Sequence, residues 1–132
     1  MSASNTTENT VVTQTRRHKL VFASAGEISL PRIVGMAFGN GGVNGQGEVI
    51  PPTEDQTDLY NEIFRKEIDS YEIVDPYTIR YLCTLEEGEL IGQKISELGL
   101  YDEDGDILCI RTMTEKGVDG DIEQTYSVKD IF

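Results

Sequence analysis

The densest group of side chains that could bind a metal ion is the acidic run Asp102–Asp106. Counted from Asp102, an EF-hand loop would need Gly at its sixth position and a bidentate Glu at its twelfth. The chain has Ile107 and Met113 at those positions, which excludes an EF-hand. Because Asp104-Gly105 is a strong hairpin signal, we interpret the run as a turn with solvated carboxylates. On that interpretation, replacing Asp102 with Ala costs about 0–1 kcal/mol of stability, less than replacing Gly105 with Val.

The alternative for this run is an irregular calcium site that also uses Asp119 and Asp121. Calcium requires several oxygen ligands close together, which the sequence alone neither supplies nor excludes. A small β module that binds calcium or a cell-surface glycan is therefore kept as the alternative function.

The one histidine, His18, lies in the basic cluster Arg16-Arg17-His18-Lys19. No serine occurs in a Gly-x-Ser-x-Gly motif, and no hydrolase triad can be assembled around this histidine. We interpret the cluster as the solvated face of a helix. The alternative is a small docking patch for an acidic partner.

The segment Gly39–Gly47 contains five glycines and two asparagines, a composition that also occurs in phosphate-binding loops. Such loops lead into a helix N-terminus, often through Lys-Ser/Thr, whereas Pro51-Pro52 follows here. We therefore predict a mobile surface loop.

Cys83 and Cys109 both lie in apolar, strand-like runs, and there is no Cys-x-x-Cys motif. We interpret them as small buried hydrophobic residues. A redox pair or half of a metal site is the alternative. The sequence thus predicts no catalytic, cofactor-binding or metal-binding residues, and the protein is not expected to be an enzyme.

The chain has 132 residues, with 24 acidic and 11 basic side chains that give a net charge of −13. This charge argues against nucleic acid or an anionic membrane as the partner, since both bind through cationic side chains. No apolar run approaches the roughly 20 residues of a membrane span, and Met1–Val12 lacks the apolar core of a signal peptide. The sequence therefore favours folding in a cytoplasm.

Two short helices are predicted after a disordered tail over residues 1–12. The first covers Arg16–Ala25, begins at a cap on Thr13 or Thr15 and ends at Gly26, with a buried stripe from Leu20 and residues 22–25. A strand over Lys19–Ala23 is the alternative. The second covers Thr57–Arg65 and follows from the spacing of its apolar residues.

The remaining pattern predicts strands separated by turns. The strands are Ile28–Phe38, Lys66–Val74, Thr78–Leu85, Ile95–Tyr101, Ile107–Thr112 and Ile122–Val128, and Met113–Asp121 is predicted as a loop. The fold class is therefore α+β, mainly β. Residues 13–132 are predicted to form a single domain with a mostly antiparallel sheet or sandwich and one or two short helices.

Four stretches, in this order, resemble the attachment domain of phage tail-collar fibre and related tail proteins. They are Thr15–Gly26, Arg32–Gly42, Leu59–Lys66 after Pro-Pro-Thr, and Ile95–Leu108 with its Ser-Glu-Leu-Gly-Leu-Tyr-Asp core. Each is weak alone, because strand-Asp-Gly-strand is common, but four in order make the resemblance more specific, and it extends from about Thr15 to Phe132.

The resemblance implies a non-enzymatic structural component of a phage or prophage tail. It implies that the protein connects baseplate and tail fibre through contacts with other tail or baseplate proteins, usually as a homo-oligomer. The implied location is the virion tail, with assembly in the host bacterial cytoplasm. The sequence ends at Phe132 without a shaft or tip, so a short baseplate or fibre adaptor is expected rather than a receptor-binding tip, with a degraded prophage product as the alternative.

Overall fold

A computed structural model describes residues 9–119 and 123–131. These residues form one helix and eight strands. The elements are β1 (Thr10–Val12), α1 (Gln14–Ser24), β2 (Ile33–Gly39), β3 (Glu62–Glu67), β4 (Ser70–Asp75), β5 (Thr78–Leu85), β6 (Lys94–Asp102), β7 (Ile107–Gly117) and β8 (Gln124–Ile131).

The strands build two sheets in which all neighbouring strands are antiparallel. The large sheet has the order β1-β7-β6-β2-β3, and the small sheet has the order β4-β5-β8. The main core contains residues of both sheets, among them Met36, Phe38 and Leu100 from the large sheet and Cys83 and Tyr126 from the small one. The prediction of a mainly β single domain with antiparallel strands is confirmed.

The opposite face of the large sheet has a smaller core formed by Ala37, Ile107, Ile110 and Leu59. Leu59 comes from residues 50–61, an irregular segment that we call the strap, which crosses this face. A Cβ at Gly99 would press on the methyl group of Leu59, so this glycine leaves room for the strap.

The predicted helix near the N-terminus is present, although it covers Gln14–Ser24, and of the two predicted caps Thr13 is the one that caps it. The Thr13 hydroxyl accepts a hydrogen bond from the Arg16 N–H and donates to the Ile107 carbonyl, so the cap also joins the helix to β7. Gly26 follows the helix with φ of +81°, as a glycine C-cap predicts. The expected apolar stripe was wrong in part, because Phe22 is exposed while Arg16 is the buried residue.

The second predicted helix, Thr57–Arg65, was wrong. Its first half belongs to the strap, where Leu59 packs on the large sheet, and its second half is β3, which pairs with β2. Helical spacing of apolar residues in so short a segment did not outweigh the pairing of β3 with an open sheet edge.

Several predicted boundaries also change. Strand β7 continues to Gly117, because it pairs with β6 as far as Lys94, so Met113–Gly117 is not the predicted loop. The strand predicted over Lys66–Val74 is divided between β3 and β4. Pro31 precedes β2, which begins at Ile33 and not at the predicted residue 28.

At the N-terminus, Thr10–Val12 pairs with β7, so the predicted tail over residues 1–12 is not a tail at those positions. The rest of that tail, residues 1–8, lies outside the described residues. Ile122, where the last strand was predicted to begin, also lies outside the described residues. The described strand β8 begins at Gln124.

Candidate functional site

The acidic turn Asp102–Asp106 is a hairpin between β6 and β7, as predicted, with Gly105 at φ of +86°. Its carboxylates, however, are not all solvated. Asp102 is buried, and its Oδ1 accepts hydrogen bonds from the N–H groups of Asp104 and Asp106 at 3.0 and 3.1 Å. The expectation that the Asp102 carboxylate is solvated was therefore wrong.

A cation of the chain itself occupies this acidic turn. The ammonium Nζ of Lys19 lies 2.6 Å from Asp102 Oδ2, 2.7 Å from Asp106 Oδ2 and 3.1 Å from Asp104 Oδ2. The three carboxylates are close enough together to hold a metal ion. Because the ammonium takes one oxygen from each of them, the turn is already neutralised in part by α1.

The pKa of Lys19 reflects two opposing effects. Partial burial lowers this pKa, whereas the hydrogen bonds with Asp102, Asp106 and Asp104 together raise it by a larger amount. The net result is a pKa above its ordinary value of 10.5. The predicted calcium alternative also used Asp119 and Asp121. Asp119 is exposed and outside the described carboxylate cluster, and Asp121 lies outside the described residues.

The basic cluster on α1 is only in part the solvated face that the sequence suggested, because Arg17 and His18 are exposed whereas Arg16 is buried and Lys19 is partly buried. The guanidinium of Arg16 is buried and pairs with the buried carboxylate of Asp130 on β8. Arg17 pairs with Glu54 of the strap at 3.0 Å, and both of these side chains are exposed. With Lys19 also paired, the cluster attaches the helix to the rest of the chain.

The carboxylate of Glu97 organises the Gly-rich segment. Glu97 is fully buried on β6, where Oε2 accepts hydrogen bonds from the N–H groups of Gly41 and Asn61 at 2.9 and 2.7 Å, and Oε1 accepts one from Tyr60 at 2.7 Å. Backbone donors thus satisfy a buried carboxylate and join β6 to the strap and the Gly-rich loop.

The neighbouring Ser96 fixes the same loop. Its Oγ accepts a hydrogen bond from the Gly42 N–H at 2.8 Å, and a Cβ at residue 42 would overlap the Ser96 carbonyl. Farther along, Val43 and Val49 form a β-bridge, and Asn44 Oδ1 accepts from two backbone N–H groups. The Gly-rich segment is thus hydrogen-bonded to β6 at Gly41 and Gly42, and its outer part is a turn closed by a β-bridge.

Sequence reasoning missed Ser96 and Glu97 as organising residues. The available signal was their position, since two polar residues interrupt the apolar run of a central strand. A buried polar pair of this kind requires partners, and an adjacent glycine-rich segment offers close, accessible N–H groups.

Both cysteines are buried free thiols, as the sequence predicted. Burial raises the pKa of Cys83 to about 12 and also raises the pKa of Cys109. Such thiols are protonated at neutral pH and poor nucleophiles.

One candidate docking surface lies on α1 and the turn that follows it. Val21 and Phe22 are 65% and 51% exposed, and Ile28 and Leu30 are also exposed. An open groove beside this apolar face is lined by Thr15, His18, Lys19, Phe22, Glu27 and Ile28. The sequence had assigned Phe22 to the core, so this surface was not anticipated.

A second candidate surface is the β4–β5 hairpin. All six residues of β4 are exposed. They include Tyr71 and Ile73, at 63% and 69%, and Tyr77 in the turn is exposed as well. Large apolar side chains grouped on an exposed element are typical of protein–protein contact sites.

The family model described as "Phage tail-collar fibre protein, N-terminal" matches residues 5–117. The match includes α1, the Gly-rich loop, the strap and the β6–β7 hairpin. No curated protein and no solved structure matches the chain. The chain belongs to the phage tail-collar fibre family and is a phage tail protein with a structural role.

Among the described residues, no helix is both long and apolar enough to cross a membrane.

Proposed function

We propose that this member of the phage tail-collar fibre family is a non-enzymatic adaptor that connects the baseplate to the tail fibre through protein–protein contacts. We further propose that it acts as a homo-oligomer. The family match supports a structural role in the tail, and the exposed apolar surfaces on α1 and β4 support the contacts.

The observation that carries this proposal is the exposed apolar face of α1. Isolated exposed apolar residues are common, but Val21 and Phe22 stand on one helix beside an open groove. The helix is also rigidly attached, because Arg16 and Lys19 pair with Asp130 and Asp102. A fixed apolar face can bind a partner with little loss of conformational entropy.

The charge of the chain limits the kinds of partner. A net charge of −13 disfavours nucleic acid and anionic membranes. The same charge favours partners with basic surfaces among the other tail proteins. Attraction between the opposite charges would also speed the association of the two proteins at low ionic strength. The proposed location is the virion tail, after assembly in the cytoplasm of the host bacterium.

Immunogold electron microscopy of intact particles tests the location. An antibody against this chain should label the end of the tail where the fibres join the baseplate. Label confined to the head, or particles that lack the chain altogether, would contradict a role as a tail adaptor.

Reconstitution from purified components tests the contacts. The chain should bind the baseplate protein or the fibre protein of the same phage, and Val21→Lys on α1 should weaken that binding. Ile91→Lys is the matched control, because Ile91 is similarly exposed in the connection between β5 and β6. Equal loss in both variants would show that α1 is not the contact surface.

A further inference from the structure

The described part of the chain has four strands at sheet edges, and two of them are protected by their own sequence. β1 has only three residues. Four of the six residues of β3 are charged. Short length and charged side chains both disfavour the addition of a further strand.

β8, at one edge of the small sheet, is in contact with side chains of β7. Its Ser127 carbonyl accepts a hydrogen bond from Arg111 Nη1 at 2.8 Å, and its Lys129 carbonyl accepts a weak one from the Cys109 thiol. Two backbone carbonyls of β8 therefore have side-chain partners within the chain.

β4, at the other edge of the small sheet, is open along its whole length. All six of its residues are exposed, and its sequence Ser-Tyr-Glu-Ile-Val-Asp contains neither Lys nor Pro. In an antiparallel strand, alternate residues direct their N–H and C=O groups away from the neighbouring strand. Because β4 has its neighbour β5 on one side only, these groups face the open edge.

The inner face of β4 extends the core face of the small sheet beyond its cover. Tyr71 pairs with Tyr81 and Ile73 pairs with Ile79, and residues paired across strands share a face. Tyr81 is buried on that face, whereas Tyr71 and Ile73 are more than half exposed. The inner face of β4 therefore presents apolar side chains beside an unpaired backbone.

The surroundings of β4 are acidic. Over residues 67–75 the sequence has no Lys or Arg, and four of these nine residues are exposed acidic side chains, namely Glu67, Asp69, Glu72 and Asp75. Glu72 pairs with Arg80 of β5, so its carboxylate lies on the outer face, opposite the apolar side chains. A strand added at this edge would meet apolar groups on one face and a carboxylate on the other.

We propose that the β4 edge binds an extended segment of another tail protein in which apolar residues alternate with Lys or Arg, and that this segment adds to the small sheet as a fourth strand. Main-chain hydrogen bonds hold the segment in place. Its apolar residues cover Tyr71 and Ile73, and its cations lie beside Glu72. This inference rests on the proposed function, for which it supplies a second contact surface in addition to α1.

The same charges disfavour a second copy of this chain as the occupant. A two-fold axis would place the acidic β4 beside its own copy, and like charges opposite each other destabilise a strand pair. Each chain also carries a net charge of −13. A basic segment of another protein reduces the repulsion among the carboxylates and is therefore the complementary occupant.

NMR titration of the isotope-labelled full chain with a synthetic peptide, Lys-Val-Lys-Ile-Lys-Val-Lys, tests the proposal. The peptide should bind saturably and shift the amide signals of β4. The same peptide with Glu in place of Lys should bind about tenfold more weakly, because its charges are repelled. A version with methylated backbone N–H groups should not bind, since it cannot pair as a strand. Absence of binding, unchanged β4 signals or equal binding of the Glu peptide would each overturn the proposal.

Charge reversal on the chain gives the complementary test. Glu72→Lys should weaken binding of the Lys peptide by about tenfold and strengthen binding of the Glu peptide. Glu115→Lys makes the same change of net charge at an exposed position on β7 and should leave both affinities near those of wild type. Equal effects of the two variants would show that net charge, and not the β4 edge, controls binding, and would overturn the proposal.

A second pair of variants tests the apolar face. Ile73→Lys should weaken binding of the Lys peptide by about tenfold, because it places a charge where an apolar residue of the peptide would lie. Ile91→Lys adds the same charge at another exposed position and should leave binding unchanged. The melting temperatures should stay near that of wild type, since both side chains are exposed. Equal binding by Ile73→Lys and Ile91→Lys would overturn the proposed strand pairing.

Binding to the purified baseplate and fibre proteins of the same phage separates this inference from the adaptor proposal. Glu72→Lys and Ile73→Lys should each weaken binding to one of these two proteins. Unchanged binding of both proteins by both variants would overturn the β4 contact and leave the adaptor role intact. A chain that binds the Lys peptide at β4 but neither protein would refute the adaptor role and leave the β4 site intact.

Discussion

The buried carboxylate of Glu97 accepts a hydrogen bond of 2.7 Å from the backbone N–H of Asn61, 36 residues away in the sequence. The same carboxylate accepts hydrogen bonds from the backbone N–H groups of Tyr60 and Gly41. One residue on a central strand therefore holds both the strap and the Gly-rich loop in position.

Replacing Glu97 with Gln should destabilise the fold by about 2–4 kcal/mol, because the amide nitrogen cannot accept a hydrogen bond and would face a backbone N–H group. Urea unfolding measures this difference in free energy. Glu115→Gln removes an exposed carboxylate and should change stability by less than about 0.5 kcal/mol. A Glu97→Gln variant as stable as this control would show that the hydrogen bonds contribute little.

Replacing Asp102 with Ala should cost about 2–4 kcal/mol, since it leaves two turn N–H groups and part of the Lys19 charge without their acceptor. Asp104→Ala removes a mostly exposed carboxylate from the same turn and should cost about 0–1 kcal/mol. Thermal unfolding of the two variants gives the comparison. Equal losses would show that the buried carboxylate of Asp102 contributes no more to stability than the exposed carboxylate of Asp104.

Gly105→Val is expected to cost about 1–2 kcal/mol, because a β-branched residue at a φ of +86° is strained. The sequence alone had ranked this change above Asp102→Ala, and the burial of Asp102 reverses the order. A smaller loss for Asp102→Ala than for Gly105→Val would contradict the structural ranking.

Millimolar calcium should leave the melting temperature of the wild-type chain unchanged, because the Lys19 ammonium already contacts all three carboxylates of the turn. Differential scanning fluorimetry with calcium and with excess chelator measures this. A rise in melting temperature that disappears in Asp104→Asn would instead identify the turn as a calcium site.

Stability should fall in alkaline solution, in part through Cys83. The ordinary thiol pKa is 9.0, and burial raises it to about 12 in the folded chain. The unfolded chain therefore loses this proton first, and folding stability declines as the pH rises from about 9 towards 12. Cys83→Ala should show a shallower decline in urea unfolding over that range. An identical slope would show that the thiol does not contribute.

At neutral pH, neither Cys83 nor Cys109 should react with a thiol reagent until the chain unfolds, since both are buried and protonated. The number of thiols that react in buffer and in denaturant gives the result. Rapid reaction of one thiol in the native protein would reveal local opening around that strand.

Local sequence determined the elements whose signals lie within a few residues. Strand β5 covers Thr78–Leu85, as its β-forming residues predicted, and the Asp-Gly turn between β6 and β7 followed from its own chemistry. Thr13 capped α1 as expected because capping requires only the next few N–H groups. The pattern of strand-forming runs separated by turn residues was likewise enough for the mainly β class.

Tertiary structure decided every assignment that depended on a distant partner. Lys19 pairs with Asp102, 83 positions away, and Arg16 pairs with Asp130, 114 positions away. These side chains therefore form ion pairs within the fold, where the sequence alone had predicted solvated groups. Leu59 packs on the large sheet where Gly99 leaves room for it. This contact explains why the first half of the predicted helix Thr57–Arg65 belongs to the strap. Burial of a charge is favourable only where its partner is already in place, and a single sequence does not specify which distant residue that will be.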